Sequence, residues 1–92
     1  MALKERLDAD LETATREKDE VTLSVVRLLK SAIKYREIEL AKALEDGEIH
    51  GVIASEIKRR RESIEQYRAG NRLELADREE AEIRVLQGWL PA

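Results

Sequence analysis

Apolar residues recur at three- and four-residue spacing along the whole chain, and shifts in their register divide it into four amphipathic segments. The first runs from Ala2 to about Arg16, where Leu3, Leu7, Leu11 and Ala14 form a narrow stripe between charged faces. Asp19 suits the N-cap of the next segment. With no Gly or Pro near Lys18, the connection is short and the first two helices are expected to be antiparallel neighbours. The second segment, Glu20 to about Glu45, has two adjoining apolar stripes: Val26, Leu29, Ile33, Leu40 and Leu44 on one, Val21, Val25, Leu28, Ala32 and Tyr35 on the other. So wide an arc predicts contact with more than one other helix, which makes this the central one.

Asp46-Gly47 is a turn signal, and Asp46 is expected to cap a third helix that runs to Ala69. Its stripe is Ile49, Ile53, Ile57, Ile64 and Tyr67. Arg60 interrupts that stripe, so it must snorkel or meet a carboxylate from a neighbouring helix, because an unpaired buried guanidinium is costly. Gly51 costs roughly 1 kcal/mol of helix propensity and is compatible with close packing there. Gly70 suits a left-handed helix end, and Asn71 with Glu74 forms a capping-box signal for a fourth helix through Leu73, Ala76, Ile83 and Leu86, closed by Gly88 and Pro91. Trp89-Leu90 reads as a plug for one end of the bundle in preference to an exposed patch. The expected fold is all-α: one four-helix bundle-like domain over residues 1–92, with a long central second helix and a hairpin of helices three and four.

Composition supports interlocking amphipathic helices, with 42% hydrophobic and 40% charged residues and few aromatics. No cysteine is present, which excludes disulfides, thiolate metal ligands and thiol chemistry and fits a reducing interior. No apolar run approaches the ~20 residues that span a bilayer, and the N-terminus has no signal-peptide core, so the expectation is a cytoplasmic protein with no membrane partner.

The formal charge of -3 hides a division along the chain: residues 21 to 70 hold ten bases and eight acids, while both flanks are acidic. From Val21 to Arg36 there is no acidic residue, and Arg27, Lys30 and Lys34 share one face of helix two. Together with Lys58, Arg59, Arg61 and Arg68 of helix three, these are the candidate RNA-binding residues, since cations on an exposed face release counterions from phosphates. On helix three the competing explanation is a solvated face with ordinary pairs such as Lys58 with Glu62 and Arg61 with Glu65.

Catalytic candidates lack partners. There is one histidine, the Ser31/Lys34 and Ser55/Lys58 spacings lie inside helices, and no Gly-rich phosphate loop occurs, so neither a catalytic set nor a cofactor is implied. Asp46 with His50 supplies two ligands, which do not make a metal site. A helix-turn-helix DNA binder is disfavoured by the length of helices two and three.

Four blocks, LKERLDADLETA from Leu3, LSVVRLLKSAIKYREIE from Leu23, EIKRRRESIEQYRAGNRLELADREEAEI from Glu56 and the closing WLP at Trp89–Pro91, resemble in order and spacing the N-terminal domain of the GatB/YqeY family. The resemblance covers almost the whole chain. It implies a non-catalytic helical module related to the region of the glutamine-dependent tRNA amidotransferase B subunit that helps hold tRNA. The carbon–nitrogen ligase chemistry, with glutamine as amido donor, resides in other domains. Implied partners are tRNA and an amidotransferase or aminoacyl-tRNA synthetase complex. Family members continue beyond the position of Pro91 whereas this sequence ends at Ala92, so their second helical domain is expected to be absent. The alternative is a protein-interaction module docking through Trp89, Leu90 and the acidic first and fourth helices. Salt discriminates the two, because phosphate contacts weaken steeply with it and apolar docking does not.

Overall fold

Leu3–Glu17 forms α1, Glu20–Leu40 α2, Asp46–Ala69 α3 and Leu73–Gln87 α4 in the computed structural model, which describes residues 2–91. Among the described residues there is no strand. Helices α1 and α2 make one antiparallel pair, α3 and α4 a second and closer one, and α2 and α3 each touch all three others. Leu7, Leu29, Ile49, Ile53 and Leu86 are fully buried where the pairs meet. Each such side chain contributes roughly 1.5–3 kcal/mol of burial.

The stripe of α3 is buried as expected at Ile49, Ile53, Ile57 and Ile64, with Tyr67 half-buried. Trp89 is the plug: its ring is 4% exposed, and its indole N–H donates to Asp10 Oδ2 at 2.7 Å, tying the end of α4 to α1. Arg6 strengthens the tie by donating to the Gly88 carbonyl at 2.8 Å.

Four local expectations are corrected. First, α2 stops at Leu40, with Ala41 left-handed at φ 54°, although no Gly or Pro marks the place. The Glu37 carboxylate accepts the Leu44 N–H at 2.7 Å, and the loop folds back so that Leu44 enters the core from outside the helix. Second, Glu45 rather than Asp46 is the N-cap of α3, with Glu48 Oε1 accepting its N–H at 3.1 Å. Asp46 instead accepts the Leu3 N–H at 3.2 Å, so one helix start caps another. Third, the left-handed residue after α3 is Asn71, at φ 59°, and Gly70 has an ordinary φ of -88°. Arg72 N–H closes the turn onto the Tyr67 carbonyl at 2.7 Å, a Schellman-type end in which Asn replaces Gly. Asn71 is thereby removed from capping, and α4 begins after Arg72 with no side-chain cap. Fourth, Gly51 is not a close-packing residue, since a Cβ there would meet nothing within 4 Å.

The second stripe of α2 also departs from its pattern. Val25 is buried, but Val21, Leu28 and Tyr35 are exposed. Among the described residues no element covers that side of the helix.

Candidate nucleic-acid interface

The seven basic residues singled out from the sequence are all exposed, and the fold spreads them over several sides of the molecule rather than one face. Lys30 and Lys34 line a groove of about 420 Å³ between α1 and α2, and Arg27 lies two turns before Lys34 on the same stripe. Arg59 faces the opposite side of α2, lining grooves shared with Tyr35 and Leu28. Arg61 and Arg68 line a groove of about 280 Å³ between α3 and α4. Lys58 shares their stripe, since residues 58, 61 and 68 fall within about 80° of one another at 100° per residue.

Ion pairing separates them further. Lys30 meets Asp8 of α1, Arg59 meets Glu56, and Arg68 meets Glu80 of α4. For Arg27, Lys34, Lys58 and Arg61 no carboxylate among the described residues lies within ion-pair distance, so the i, i+4 pairs of Lys58 with Glu62 and Arg61 with Glu65 do not form. An exposed pair is worth little, about 0–1 kcal/mol, so even the paired cations exchange a carboxylate for a phosphate at small cost.

Lys4 is a member of the α1–α2 groove that the sequence reading missed. It pairs with Glu37, and the groove holds three ammonium groups, Lys4, Lys30 and Lys34, against the carboxylates Asp8 and Glu37. Lys34 is the surplus charge. The Lys4 ammonium, and after it the Leu44 N–H, hold Glu37 below the usual carboxylate range, so this carboxylate keeps its charge further into acid than a free one. Nothing in the spacing of α1 marks Lys4, because helix packing alone brings it to α2.

Arg60 stands apart. It is 11% exposed in its side chain and reaches two carboxylates of α4, Glu79 at 3.1 Å and the buried Glu82, which also forms an ion pair with Arg78 at 3.4 Å. This is the neighbouring-helix carboxylate that its place in the apolar stripe demands, and it takes Arg60 out of any ligand site. His50 is half-buried near Asp46, whose carboxylate is engaged by Leu3, and no group of three metal-ligating side chains occurs among the described residues. No helix of the described residues is long and apolar enough to cross a membrane.

Comparison with known proteins places these helices among relatives. The profile of the family described as Yqey-like protein matches residues 4–92. The chain is 35% identical over 85 residues to altered inheritance of mitochondria protein 41, mitochondrial, of Lachancea thermotolerans, covering 91% of this chain and 46% of that protein. The protein of the same name from Pyrenophora tritici-repentis is 32% identical over 84 residues, again 91% and 46% of the two chains. An uncharacterized protein of Schizosaccharomyces pombe is 34% identical over 77 residues, 84% of this chain and 61% of that one. The chain thus spans about half the length of most of the relatives it matches.

Proposed function

The chain belongs to the YqeY-like protein family, and from that premise we propose that it is a non-catalytic helical module that binds tRNA through the α2 face of Arg27, Lys30 and Lys34, as an accessory to tRNA-dependent amidation. The observation that carries this reading is the pair of cations on α2, Arg27 and Lys34, that no carboxylate among the described residues neutralises although acids outnumber bases in the chain as a whole. Phosphates are the ligand such a face fits, because binding releases condensed counterions without requiring base contacts. Only Tyr35, Tyr67 and Trp89 are aromatic, and Trp89 is buried, so backbone and shape recognition suits this surface better than base stacking. Lys58 and Arg61, on the α3–α4 side, form a second cationic stripe that lengthens the track. Amidotransferase or synthetase complexes remain the proposed setting. The cytoplasmic placement read from the sequence is part of the same proposal, although most of the relatives matched are mitochondrial by name.

Docking of a protein partner through the C-terminal end is the weaker reading, because the Trp89 ring is already buried against α1.

The test is a fluorescence-anisotropy titration of labelled total tRNA at low and moderate salt, with wild type and with Arg27→Glu combined with Lys34→Glu. Wild type should bind saturably, and the variant should bind more weakly with a salt slope shallower by roughly 2. No wild-type binding at low salt, where phosphate contacts are strongest, would overturn the reading.

A further inference from the structure

Helix α4 brings to α3 a basic residue, Arg84, that the α2 face does not involve. The groove of about 280 Å³ between the two helices is lined by Arg61 and Arg68 of α3 and by Glu80 and Arg84 of α4, over the buried side chains of Ile64 and Ile83. Glu80 is its one carboxylate, and Arg68 takes it. Arg84 lies four residues after Glu80 and Arg61 four before Glu65, spacings at which ion pairs form on a helix. Neither pair forms, and no carboxylate among the described residues reaches either guanidinium. The recess therefore carries a surplus of two positive charges. Arg61 and Arg84 each lie farther from the Gly70–Arg72 turn than Arg68 and Glu80 do, so the neutral pair occupies the turn end and the surplus the other.

We propose that this recess binds the dianionic head of a phosphate monoester between Arg61 and Arg84. Charge selects the ligand class. A monoester carries about -1.5 to -2 at neutral pH, which matches the two unneutralised guanidiniums, whereas each phosphodiester of a nucleic-acid backbone carries one charge. Geometry agrees, because a guanidinium presents a planar fork of donors that engages two phosphate oxygens at once, and here the forks come from two different helices. The apolar floor of Ile64 and Ile83 offers no competing hydrogen bond. Both arginines are exposed, so the site fills without opening the α3–α4 hairpin. The α1–α2 groove is of another kind, since its three ammonium groups stand among two carboxylates. Only Arg61 is shared with the proposed tRNA track, and the recess would take a monoester whether or not α2 binds RNA.

The test is heteronuclear NMR of the full chain, reading the arginine Nε–H resonances during titration with methyl phosphate at neutral pH, with chloride holding the ionic strength constant. The Arg61 and Arg84 signals should move saturably, with a dissociation constant in the millimolar range or below. Dimethyl phosphate, which carries a single charge, should bind at least about tenfold more weakly, the loss expected for one charge-assisted hydrogen bond. Methyl phosphate itself should bind about tenfold more weakly at about pH 5, below its second ionisation near pH 6. Arg61→Gln combined with Arg84→Gln should abolish the shifts that the ligand causes at Ile64, Arg68 and Ile83, with helicity by circular dichroism unchanged. Arg27→Glu combined with Lys34→Glu should keep them, so failure of the tRNA reading and failure of this one are told apart. An RNA oligomer with a 5′-phosphate that outbinds its 5′-hydroxyl counterpart supports the site with an RNA end as its source. Equal binding of the two oligomers beside saturable binding of methyl phosphate supports it with a small monoester as its source. Absence of saturable shifts, shifts that the folded double variant retains, or equal affinity for dimethyl phosphate would each overturn the proposal.

Discussion

Helix α3 has two seams, and they break the rule of apolar inside and polar outside in opposite directions. Towards α4 the seam is closed, yet it holds charges: Arg60, Glu79 and the buried Glu82. Towards the second half of α2 the seam is open as a groove of about 550 Å³, yet it displays Tyr35, and Ile38 nearby is 70% exposed. A neighbour decides each case. Helix α4 arrives with two carboxylates at the level of Arg60, so that side can close around an ion cluster. Helix α2 ends at Leu40 and no element among the described residues lies over its outer stripe, so that side stays open although its residues are apolar. The closed seam is not fully satisfied either, because the Arg60 Nε–H is buried without a partner among the described residues.

The sharpest way to break this contrast is at Arg60. Arg60→Ala leaves the buried Glu82 carboxylate with only the exposed Arg78 as partner and should lower the unfolding free energy by about 3 kcal/mol, read from urea denaturation. Arg60→Met with Glu82→Leu removes both charges and should return to within about 1 kcal/mol of wild type. A near-neutral single variant would mean that water reaches the closed seam.

On the open side the largest expected change is a gain. Gly51→Ala should raise stability by about 1 kcal/mol, since the helix prefers Ala and the new methyl meets nothing. A loss there would show that the groove is shut in solution.

The smallest effect is acid sensitivity at the groove's rim. The Glu45 N–H, and after it the Lys42 ammonium, hold Glu48 below the usual glutamate range. A depressed native pKa contributes stability that is present above the unfolded value, about 4.3, and is lost as the pH falls through the lower native value. Wild type should therefore lose melting temperature below about pH 4.3, and Glu48→Gln, less stable at neutral pH, should lose less on the same descent.

How far these features were legible in the sequence varies with their range. Arg60 was legible, because a guanidinium inside an isoleucine stripe has to find a carboxylate, although Glu79 and Glu82 could not be named. Trp89 as a plug was legible too. Of the candidate RNA-binding residues, the stripe of Arg27, Lys30 and Lys34 could be drawn on a wheel, but Lys30's pairing with Asp8 and the arrival of Lys4 could not, since both come from α1. The end of α2 was missed because a side chain seven residues away in the sequence, Glu37 with the Leu44 N–H, terminates it without Gly or Pro.

By itself the sequence determined that there are four helices and which stripe of α3 is buried, because these follow from periodicities within one helix. Tertiary structure alone decided which cations keep a free charge and which apolar residues stay uncovered. Both depend on what another helix brings within a few ångströms, and spacing along one helix does not encode that.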